Sequence, residues 1–330
     1  MNNSSIIIEE ISHFVPDNVI TNEDLIKKYS LKMKSEWVEK RIGITERRWV
    51  SNEAASDLVV KACEKIDLTN FKGSLWVSTI SGDYITPSTA SIIKRKLNLK
   101  DHFPAIDINA ACAGQLFALE SAYLRLLNTS ETEALVVATE VRSKWLNKKD
   151  RRTVFLFGDG ACVIKLKKVS IKDKGLRWCH SQTIASEGND IFIPAGGSQL
   201  PISSQELEEK LNFIKMNDGT GIFEKTTENL VNVVTECLSN KNETIDEYDF
   251  FIFHQGNGAI IKKICENLKI DLSKTHINFH KYGNTSSASL GIALSEAAAE
   301  KKIKKGDRVL LLAMGAGYHI SCSSILWSID

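Results

Sequence analysis

The sequence predicts an α/β fold built from two similar halves, and three observations support this. Short apolar runs that are typical of strands alternate along the chain with amphipathic helical patterns. A length of 330 residues is too great for one small core and suits two packed halves. The order of strand, turn, polar residue and helix occurs around Cys112 and again around His254. This repetition suggests an internal duplication, and the alternation predicts βα units with mostly parallel sheets.

The individual elements follow from the local pattern. Apolar runs with strand length lie at residues 6–11, 75–79, 105–108, 134–138, 161–166, 250–253 and 309–313. Helical periodicity occurs at residues 56–66, 88–97, 114–127, 223–238, 259–268 and 287–300.

Two irregular stretches indicate the organisation of the chain. The lysine-rich stretch 167–175 interrupts the strand pattern and predicts the boundary between an N-terminal half, residues 1–170, and a C-terminal half, residues 171–330. Residues 186–205 contain glycines, prolines and serines and predict a long surface loop.

Composition excludes several classes of protein. A hydrophobic content of 43%, a charged content of 25% and a net charge of +1 are those of an ordinary globular protein and argue against nucleic-acid binding. No apolar run reaches the ~20 residues of a membrane span, and no signal-peptide pattern occurs at the N-terminus. Seven cysteines without a Cys-x-x-Cys pair predict reduced thiols and neither a disulfide framework nor a zinc site. We therefore expect a cytoplasmic protein without a metal or a membrane partner.

Cys112 stands where a predicted strand meets a predicted helix. Free backbone N–H groups at a helix N-terminus favour an anion, which predicts a lowered pKa for the thiol. Alanines and a glycine on both sides of Cys112 leave the sulfur unobstructed. A lone cysteine in an apolar run is more often a buried structural residue, so its interpretation as a nucleophile depends on other segments.

His254 and Asn284 supply that context. His254 directly follows the apolar run 250–253, and Asn284 lies in a glycine-flanked turn before the alanine-rich helix. Polar residues at such positions collect at the sites of α/β folds. A thiolate can accept an acyl group while a histidine and an asparagine polarise a thioester carbonyl or stabilise an enolate. The structural alternatives are a histidine that caps a core strand and an asparagine that only forms a turn.

At these residues the chain resembles the β-ketoacyl-acyl carrier protein synthase III family of the thiolase superfamily. The resemblance extends over nearly the whole length. It is carried by residues 110–114 (Ala-Ala-Cys-Ala-Gly), 157–161 (Phe-Gly-Asp-Gly-Ala), 254–257 (His-Gln-Gly-Asn), 282–286 (Tyr-Gly-Asn-Thr-Ser), 36–44 and 315–317. It implies the five-layer α-β-α-β-α thiolase fold with two duplicated halves, and a homodimer.

The resemblance also implies the catalytic roles. Cys112 is the nucleophile that becomes acylated by an acyl-CoA. His254 and Asn284 support decarboxylation of a malonyl thioester, whose enolate then attacks the acyl-cysteine in a Claisen condensation. The backbone N–H groups of Cys112 and Ala316 form an oxyanion hole for the acyl-cysteine. Acyl-CoA and the malonyl thioester are substrates, and no cofactor is implied.

Coenzyme A contacts are implied at four further positions. Trp37 and Arg41 match residues that stack on the adenine and contact its phosphate, and Arg151 matches the arginine on the adenine's other face. Planar Trp and Arg side chains suit a purine, and a guanidinium suits phosphate. Asn257 is expected to contact the pantetheine arm or a catalytic water. The alternative for Trp37 is core packing.

The chain departs from the family pattern in two places. Ala259 stands where an arginine usually helps to dock an acidic acyl carrier protein, and Lys262 and Lys263 offer a basic surface one turn away. Thr86 precedes Pro87 where the family carries an aromatic residue of the acyl pocket that crosses the dimer interface. A smaller side chain leaves more room, which predicts an acyl group larger than acetyl.

Three functions remain open at this point. The first is the initiating condensation of fatty acid synthesis, with acyl-CoA and a malonyl-acyl carrier protein or malonyl-CoA. The second is a specialised relative that uses a larger primer in secondary metabolism. The third is a cysteine hydrolase, because Cys-His-Asn also occurs in papain-like proteases, although the Cys-Gly-Ser/Ala-Cys-Trp/Tyr surroundings of that nucleophile are missing. An inactive dimer partner is disfavoured because Cys112 is present.

Overall fold

The structure is a computed structural model that describes residues 4–100, 102–185, 190–217 and 219–330, apart from the side chains of residues 220 and 222. Its strands in chain order are β1 (Ser5–Phe14), β2 (Val19–Thr21), β3 (Glu46–Arg48), β4 (Gly73–Ser78), β5 (Ala105–Ile108), β6 (Glu133–Val141), β7 (Asp159–Val169), β8 (Gly175–Thr183), β9 (Ile191–Phe192), β10 (Lys215–Met216), β11 (Phe250–Phe253), β12 (Arg308–Gly315) and β13 (His319–Leu326).

The α-helices alternate with these strands. They are α1 (Asn22–Tyr29), α2 (Ser35–Ile42), α3 (Ala55–Cys63), α4 (Thr89–Lys96), α5 (Gly114–Asn128), α6 (Ser204–Glu208), α7 (Gly219–Asn240), α8 (Gly258–Leu268), α9 (Phe279–Tyr282) and α10 (Ser289–Ala299). Every strand and helix that the sequence predicted is present, with bounds that shift by a few residues.

Two mixed sheets repeat one design. The first has the order β5-β4-β6-β7-β1, in which β5, β4 and β6 are parallel and β7 and β1 each run antiparallel to their neighbour. The second has the order β11-β12-β13-β8 with the same directions. Thr275 adds a parallel bridge to Phe251 on the side of β11 where β5 lies beside β4 in the first sheet. The shared order supports the predicted duplication.

The prediction of mostly parallel sheets is wrong. β12 and β13 are joined by a tight turn at residues 316–318, and a connection without a crossover helix pairs two strands antiparallel. The apolar pattern did not predict β13, because three fully buried positions of this strand are serines: Ser321, Ser323 and Ser324.

The layers follow from which helix faces are apolar. α5 and α10 lie between the two sheets and share one apolar core with both. Most residues of α10 are buried, as expected for a helix that lies between two sheets. α3 and α4 cover the outer face of the first sheet, and α7 and α8 cover that of the second. The result is the predicted five-layer α-β-α-β-α thiolase fold.

The predicted boundary falls in the connection between β7 and β8, at residues 170–174. The division into halves 1–170 and 171–330 stays a prediction, because α5 and α10 join both sheets in one core.

The predicted long loop is wrong in part. Residues 186–189 lie outside the described residues, but β9 follows at Ile191–Phe192 and pairs with β10, and α6 begins at Ser204. Ile191 of β9 packs with apolar residues of α1 and α2 in a separate cluster. Among the described residues, no helix combines the length and apolar character that crossing a membrane requires.

Candidate active site

One cavity of about 1460 Å³ brings together residues from distant parts of the chain. It is lined by all three predicted catalytic residues, Cys112, His254 and Asn284, and by Ala316 of the predicted oxyanion hole. The four predicted coenzyme A contacts Trp37, Arg41, Arg151 and Asn257 line it as well. Eight of the nine residues that the sequence predicted for the site therefore line one cavity of a single chain.

Cys112 lies in a 3-10 turn, Ala111–Ala113, that leads directly into α5. Ala111 has a φ of +46°, a conformation that non-glycine residues rarely adopt, so the turn before the thiol is strained. The half-buried Cys112 Sγ lies 3.6 Å from the hydroxyl of Ser286. The second half repeats this arrangement, with the 3-10 turn Ser286–Ala288 leading into α10.

The expected lowering of the Cys112 pKa is wrong for the free chain. Burial raises the pKa of the thiol, while the hydrogen bond with Ser286 and the positive charge of Arg142 act in the opposite direction. The loss of solvent outweighs the favourable groups around the sulfur. Cys112 is therefore mainly a neutral thiol at pH 7.

His254 extends from the end of β11, where its backbone N–H donates to the carbonyl oxygen of Leu312 at 2.9 Å. Its Nδ1 lies 2.6 Å from Oγ of Ser289, which also accepts the N–H of Gln255 at 3.0 Å. The Ser289 hydroxyl proton has no other acceptor among the described residues, so it is donated to Nδ1. The imidazole proton then resides on Nε2.

Burial lowers the pKa of His254 to about 4. The imidazole is therefore neutral at pH 7 and presents an N–H donor at Nε2. Gly256 passes so close that a Cβ at this position would lie 2.5 Å from Nε2. Only glycine leaves this donor accessible.

Asn284 is fixed on both sides by the chain around Phe157. Its N–H donates to the Leu156 carbonyl at 2.7 Å, and its carbonyl accepts the N–H of Gly158 at 3.1 Å. Its Oδ1 accepts the backbone N–H of Ser286 at 2.7 Å. Because that donor is a backbone amide, the orientation of the side-chain amide is settled, and its NH₂ group is left as the donor for the cavity.

The turn after β12 lies against the nucleophile. A Cβ on Gly315 would lie 2.8 Å from the backbone nitrogen of Cys112, so only glycine permits this approach. Within the described residues, the N–H groups of Cys112 and Ala316 donate to no other protein group. Both are thus available as donors to an oxyanion.

The mouth of the cavity is basic and aromatic. Trp37 is 54% exposed, so it is not a core residue, and the guanidinium of Arg41 lies 5.2 Å from its ring centre. Arg151 donates to the Lys32 carbonyl at 3.4 Å. Exposed cations share this rim, namely Lys32, Lys34, Arg41, Arg151 and Arg152. Asn257 caps α8 by accepting the Ala259 N–H at 2.9 Å and also borders the cavity.

Thr86 is the predicted site residue that a single chain does not bring to the cavity. It is exposed in a turn beside Tyr84 and Ile85, which are 68% and 96% exposed. A role across a dimer interface stays a prediction.

The sequence analysis did not single out three residues that line the cavity or contact its predicted catalytic residues: Arg142, Ser286 and Ser289. The serines belong to a serine-rich run in which the sequence does not distinguish one hydroxyl from another. Arg142 could have been noticed, because a charged residue directly after a long apolar strand occupies the same kind of position as His254.

No group of three or more His, Cys, Asp or Glu side chains suited to a metal occurs in the described part of the chain.

Comparisons with known proteins show the family. Residues 106–187 match the family model for 3-oxoacyl-[acyl-carrier-protein] synthase III, and residues 238–327 match its C-terminal model. The β-ketoacyl-[acyl-carrier-protein] synthase III of Fusobacterium nucleatum is 34% identical over 334 residues, covering 98% of this chain and 99% of the relative. That of Clostridium tetani is 34% identical over 348 residues, covering 99% and 100%.

Solved structures give the same result. The synthase III of Thermus thermophilus is 27% identical, with a TM-score of 0.86 over 98% of this chain and 99% of the other. That of Aquifex aeolicus is 28% identical, with a TM-score of 0.86 over 98% and 100%.

Proposed function

Because the chain belongs to the 3-oxoacyl-[acyl-carrier-protein] synthase III family of acyltransferases, we propose that Cys112 takes an acyl group from an acyl-CoA and passes it to a malonyl thioester with loss of CO₂. The observation that carries these roles is the convergence of three groups on one cavity: the Cys112 thiol, the Nε2–H of His254 and the NH₂ of Asn284.

The first half-reaction is acylation. The sulfur of Cys112 attacks the thioester carbonyl, a C–S bond to the enzyme forms, and the bond to the coenzyme A sulfur breaks. The developing oxyanion accepts hydrogen bonds from the N–H groups of Cys112 and Ala316. The proton of the Cys112 thiol is transferred to the sulfur of coenzyme A, which leaves as a thiol.

The second half-reaction is decarboxylative condensation. Loss of CO₂ from the malonyl group places negative charge on its thioester oxygen, and His254 and Asn284 donate hydrogen bonds to that oxygen. The enolate carbon then attacks the acyl carbon, and Cys112 leaves as a thiolate that takes up a proton. Two neutral donors suit an enolate, because neither forms a permanent ion pair with the malonyl carboxylate.

The same geometry argues against a cysteine hydrolase. A papain-like nucleophile requires a histidine hydrogen-bonded to the thiol. Here Cys112 contacts Ser286, and His254 contacts Ser289 instead. A raised thiol pKa and a histidine pKa of about 4 leave both groups neutral.

The mouth suits acyl-CoA as the primer. The Trp37 ring and the planar guanidinium groups of Arg41 and Arg151 present flat surfaces for a purine. The positive charges of the two arginines suit its phosphates. No cofactor beyond the substrates takes part in these steps.

An acyl carrier protein is the expected malonyl carrier. On α8, Lys262 and Lys263 are exposed, although Lys263 also pairs with Glu266 at 3.4 Å. With Ala259 in place of an arginine, we expect docking to this face to be weaker than in relatives that carry the arginine.

A homodimer is expected through β5. It is the edge strand of the first sheet, its Ile106 is 43% exposed, and the exposed turn at Tyr84 and Ile85 lies in the connection between β4 and α4. Unpaired edge strands and exposed apolar side chains are features of surfaces that bind a second chain.

The pathway follows from the primer. The first candidate is the initiation of fatty acid synthesis in the cytoplasm. The second is a specialised condensation with a primer larger than acetyl, which the small Thr86 and the large cavity favour.

Intact-protein mass spectrometry after incubation with acyl-CoAs from acetyl to dodecanoyl tests the proposal. We expect one adduct on the wild type and none on Cys112→Ala. His254→Ala and Asn284→Ala should acylate normally but lose condensation with malonyl thioesters by about 10²–10³-fold. Condensation at the native rate in either variant would contradict the division of roles.

A further inference from the structure

Arg142 is a buried cation inside the cavity and has no role in the steps above. It follows directly after β6, is 4% exposed and lines the cavity together with Cys112. Its positive charge acts on the Cys112 thiol, so the guanidinium lies close to the acyl-transfer centre.

Two nitrogens of the Arg142 guanidinium have no hydrogen-bond partner among the described residues. These two nitrogens, Nε and Nη1, are buried. The guanidinium plane lies over Phe157, with 5.3 Å between the guanidinium carbon and the ring centre. A buried charge without hydrogen-bond partners is costly, so such a group normally serves a ligand or an ion pair.

Glu140, a buried carboxyl group on which the charge of Arg142 acts, is already engaged in hydrogen bonds. The oxygens of Glu140 accept hydrogen bonds from Ser81 at 2.5 Å and from Ser287 at 2.7 Å. Burial raises the pKa of Glu140, which favours its neutral form, while the charge of Arg142 acts against this shift. The hydrogen bonds of Glu140 go to other groups, so among the described residues Glu140 forms none with the guanidinium.

We propose that Arg142 binds a carboxylate at the far end of the acyl group that is transferred to Cys112. The primer is then a dicarboxylic acyl-CoA of short chain, held by charge-assisted hydrogen bonds between the guanidinium and its free carboxylate. This inference rests on the proposed acylation of Cys112 and adds the class of primer to it.

The malonyl thioester also carries a carboxylate, but it fits this position less well. An ion pair with Arg142 stabilises the malonyl carboxylate and not the neutral CO₂ that it becomes, so pairing raises the barrier to decarboxylation. The carboxylate at the far end of the primer is not lost in the reaction, so its ion pair with Arg142 does not raise the barrier to decarboxylation.

The test compares acyl groups that differ only at their far end. Rates of Cys112 acylation are measured by intact-protein mass spectrometry with succinyl-CoA against butyryl-CoA and with glutaryl-CoA against pentanoyl-CoA. We expect the wild type to prefer the carboxylated member of each pair by about 10- to 100-fold.

Arg142→Leu should reverse the preference, and Arg142→Lys should keep part of it. Arg95→Leu, which removes an exposed arginine from α4, serves as the matched control and should retain the wild-type preference. The wild-type comparison stands by itself if Arg142→Leu does not fold, which its thermal unfolding curve reveals.

The outcomes are distinguishable. Faster wild-type acylation by butyryl- and pentanoyl-CoA would overturn this inference and leave the proposed function intact. An Arg142→Leu variant with unchanged primer preference but a raised KM for malonyl-CoA would assign the carboxylate to the extender and overturn the primer assignment. If none of the four thioesters forms an adduct but acetyl- or dodecanoyl-CoA does, this inference is overturned and the proposed function stands. If no acyl-CoA of the whole series forms an adduct, both are overturned.

Discussion

At the residue scale, the chemistry depends on which atom of each side chain remains free. Ser289 occupies one nitrogen of His254, and the Ser286 N–H occupies the oxygen of Asn284. Both arrangements leave a neutral N–H donor for the cavity. Serines that do not themselves react therefore determine what the histidine and asparagine can donate.

Ser289→Ala should slow condensation and spare acylation. Loss of its hydroxyl removes the donor to Nδ1, so His254 no longer holds its proton on Nε2 by preference. We expect the kcat for condensation to fall about 10- to 100-fold, the usual cost of losing a supporting hydrogen bond. Acylation of Cys112, followed by mass spectrometry, provides the second readout.

Ser295→Ala is the matched control for this variant, because Ser295 lies on the same helix and contacts His13 at 2.9 Å. An equal loss of acylation and condensation in Ser289→Ala would indicate a general structural defect and argue against the tautomer role.

The two half-reactions should respond differently to pH. The pKa of Cys112 is raised, so the thiolate fraction and the acylation rate should increase continuously from about pH 7 to 9.

The pKa of His254 is lowered to about 4, so it stays neutral above about pH 5. Condensation by pre-acylated enzyme should therefore show no step between about pH 5 and 8. Single-turnover rates of acylation and of condensation, measured across these pH ranges, check the two predictions. An ionisation near pH 6.5 that disappears in His254→Ala would refute the prediction for condensation.

At the element scale, the helices and strands that flank Cys112 and His254 have a clear pattern in the sequence. β5, α5, β11 and α8 lie within one residue of their predicted bounds. β13 was missed because its buried residues include small polar ones, among them Ser321 and Ser323. Apolar periodicity reveals only those strands whose burial is achieved with apolar side chains.

The edge strand β5 allows a direct test of assembly. The double variant Ile85→Asp, Ile106→Lys introduces charges at the exposed apolar positions of the proposed interface, where burial of an unpaired charge is costly. We expect a shift from dimer to monomer in sedimentation velocity. Ile171→Asp, on the 50% exposed isoleucine between β7 and β8, should leave the dimer intact. A wild-type monomer at all concentrations would rule out the interface.

At the scale of the whole molecule, a buried polar network ties α9 and α10 together around Glu296. The carboxylate accepts hydrogen bonds from Tyr282 at 2.6 Å, Asn278 at 2.7 Å and His276 at 3.0 Å. Burial by itself raises the pKa of Glu296, but these donors outweigh it and lower the pKa to about 2.

Acid should destabilise the fold through this carboxylate. Because its folded-state pKa lies below its ordinary value of 4.5, its stabilisation is complete above about pH 5 and is lost as pH falls towards 2. The shift corresponds to about 3 kcal/mol in the free energy of unfolding. Glu296→Gln should lower stability at pH 7 and flatten the dependence between about pH 5 and 2, as measured by urea unfolding. An unchanged pH dependence would show that other carboxylates dominate acid unfolding.

The sequence by itself determined the α/β class, and it predicted the proposed nucleophile, its two proposed partners and four proposed coenzyme A contacts that line one cavity. These signals are local: a small-residue turn, a polar residue after a strand, and a glycine-flanked asparagine each lie within a few residues. Only the tertiary structure decided the protonation of Cys112 and His254, the serines that orient the donors, the strand directions and the position of Arg142 in the cavity. Those properties arise from burial and from contacts between residues far apart in the chain. Ser289 and His254 are 35 residues apart, and the cavity joins Arg142 of the first half to His254 of the second.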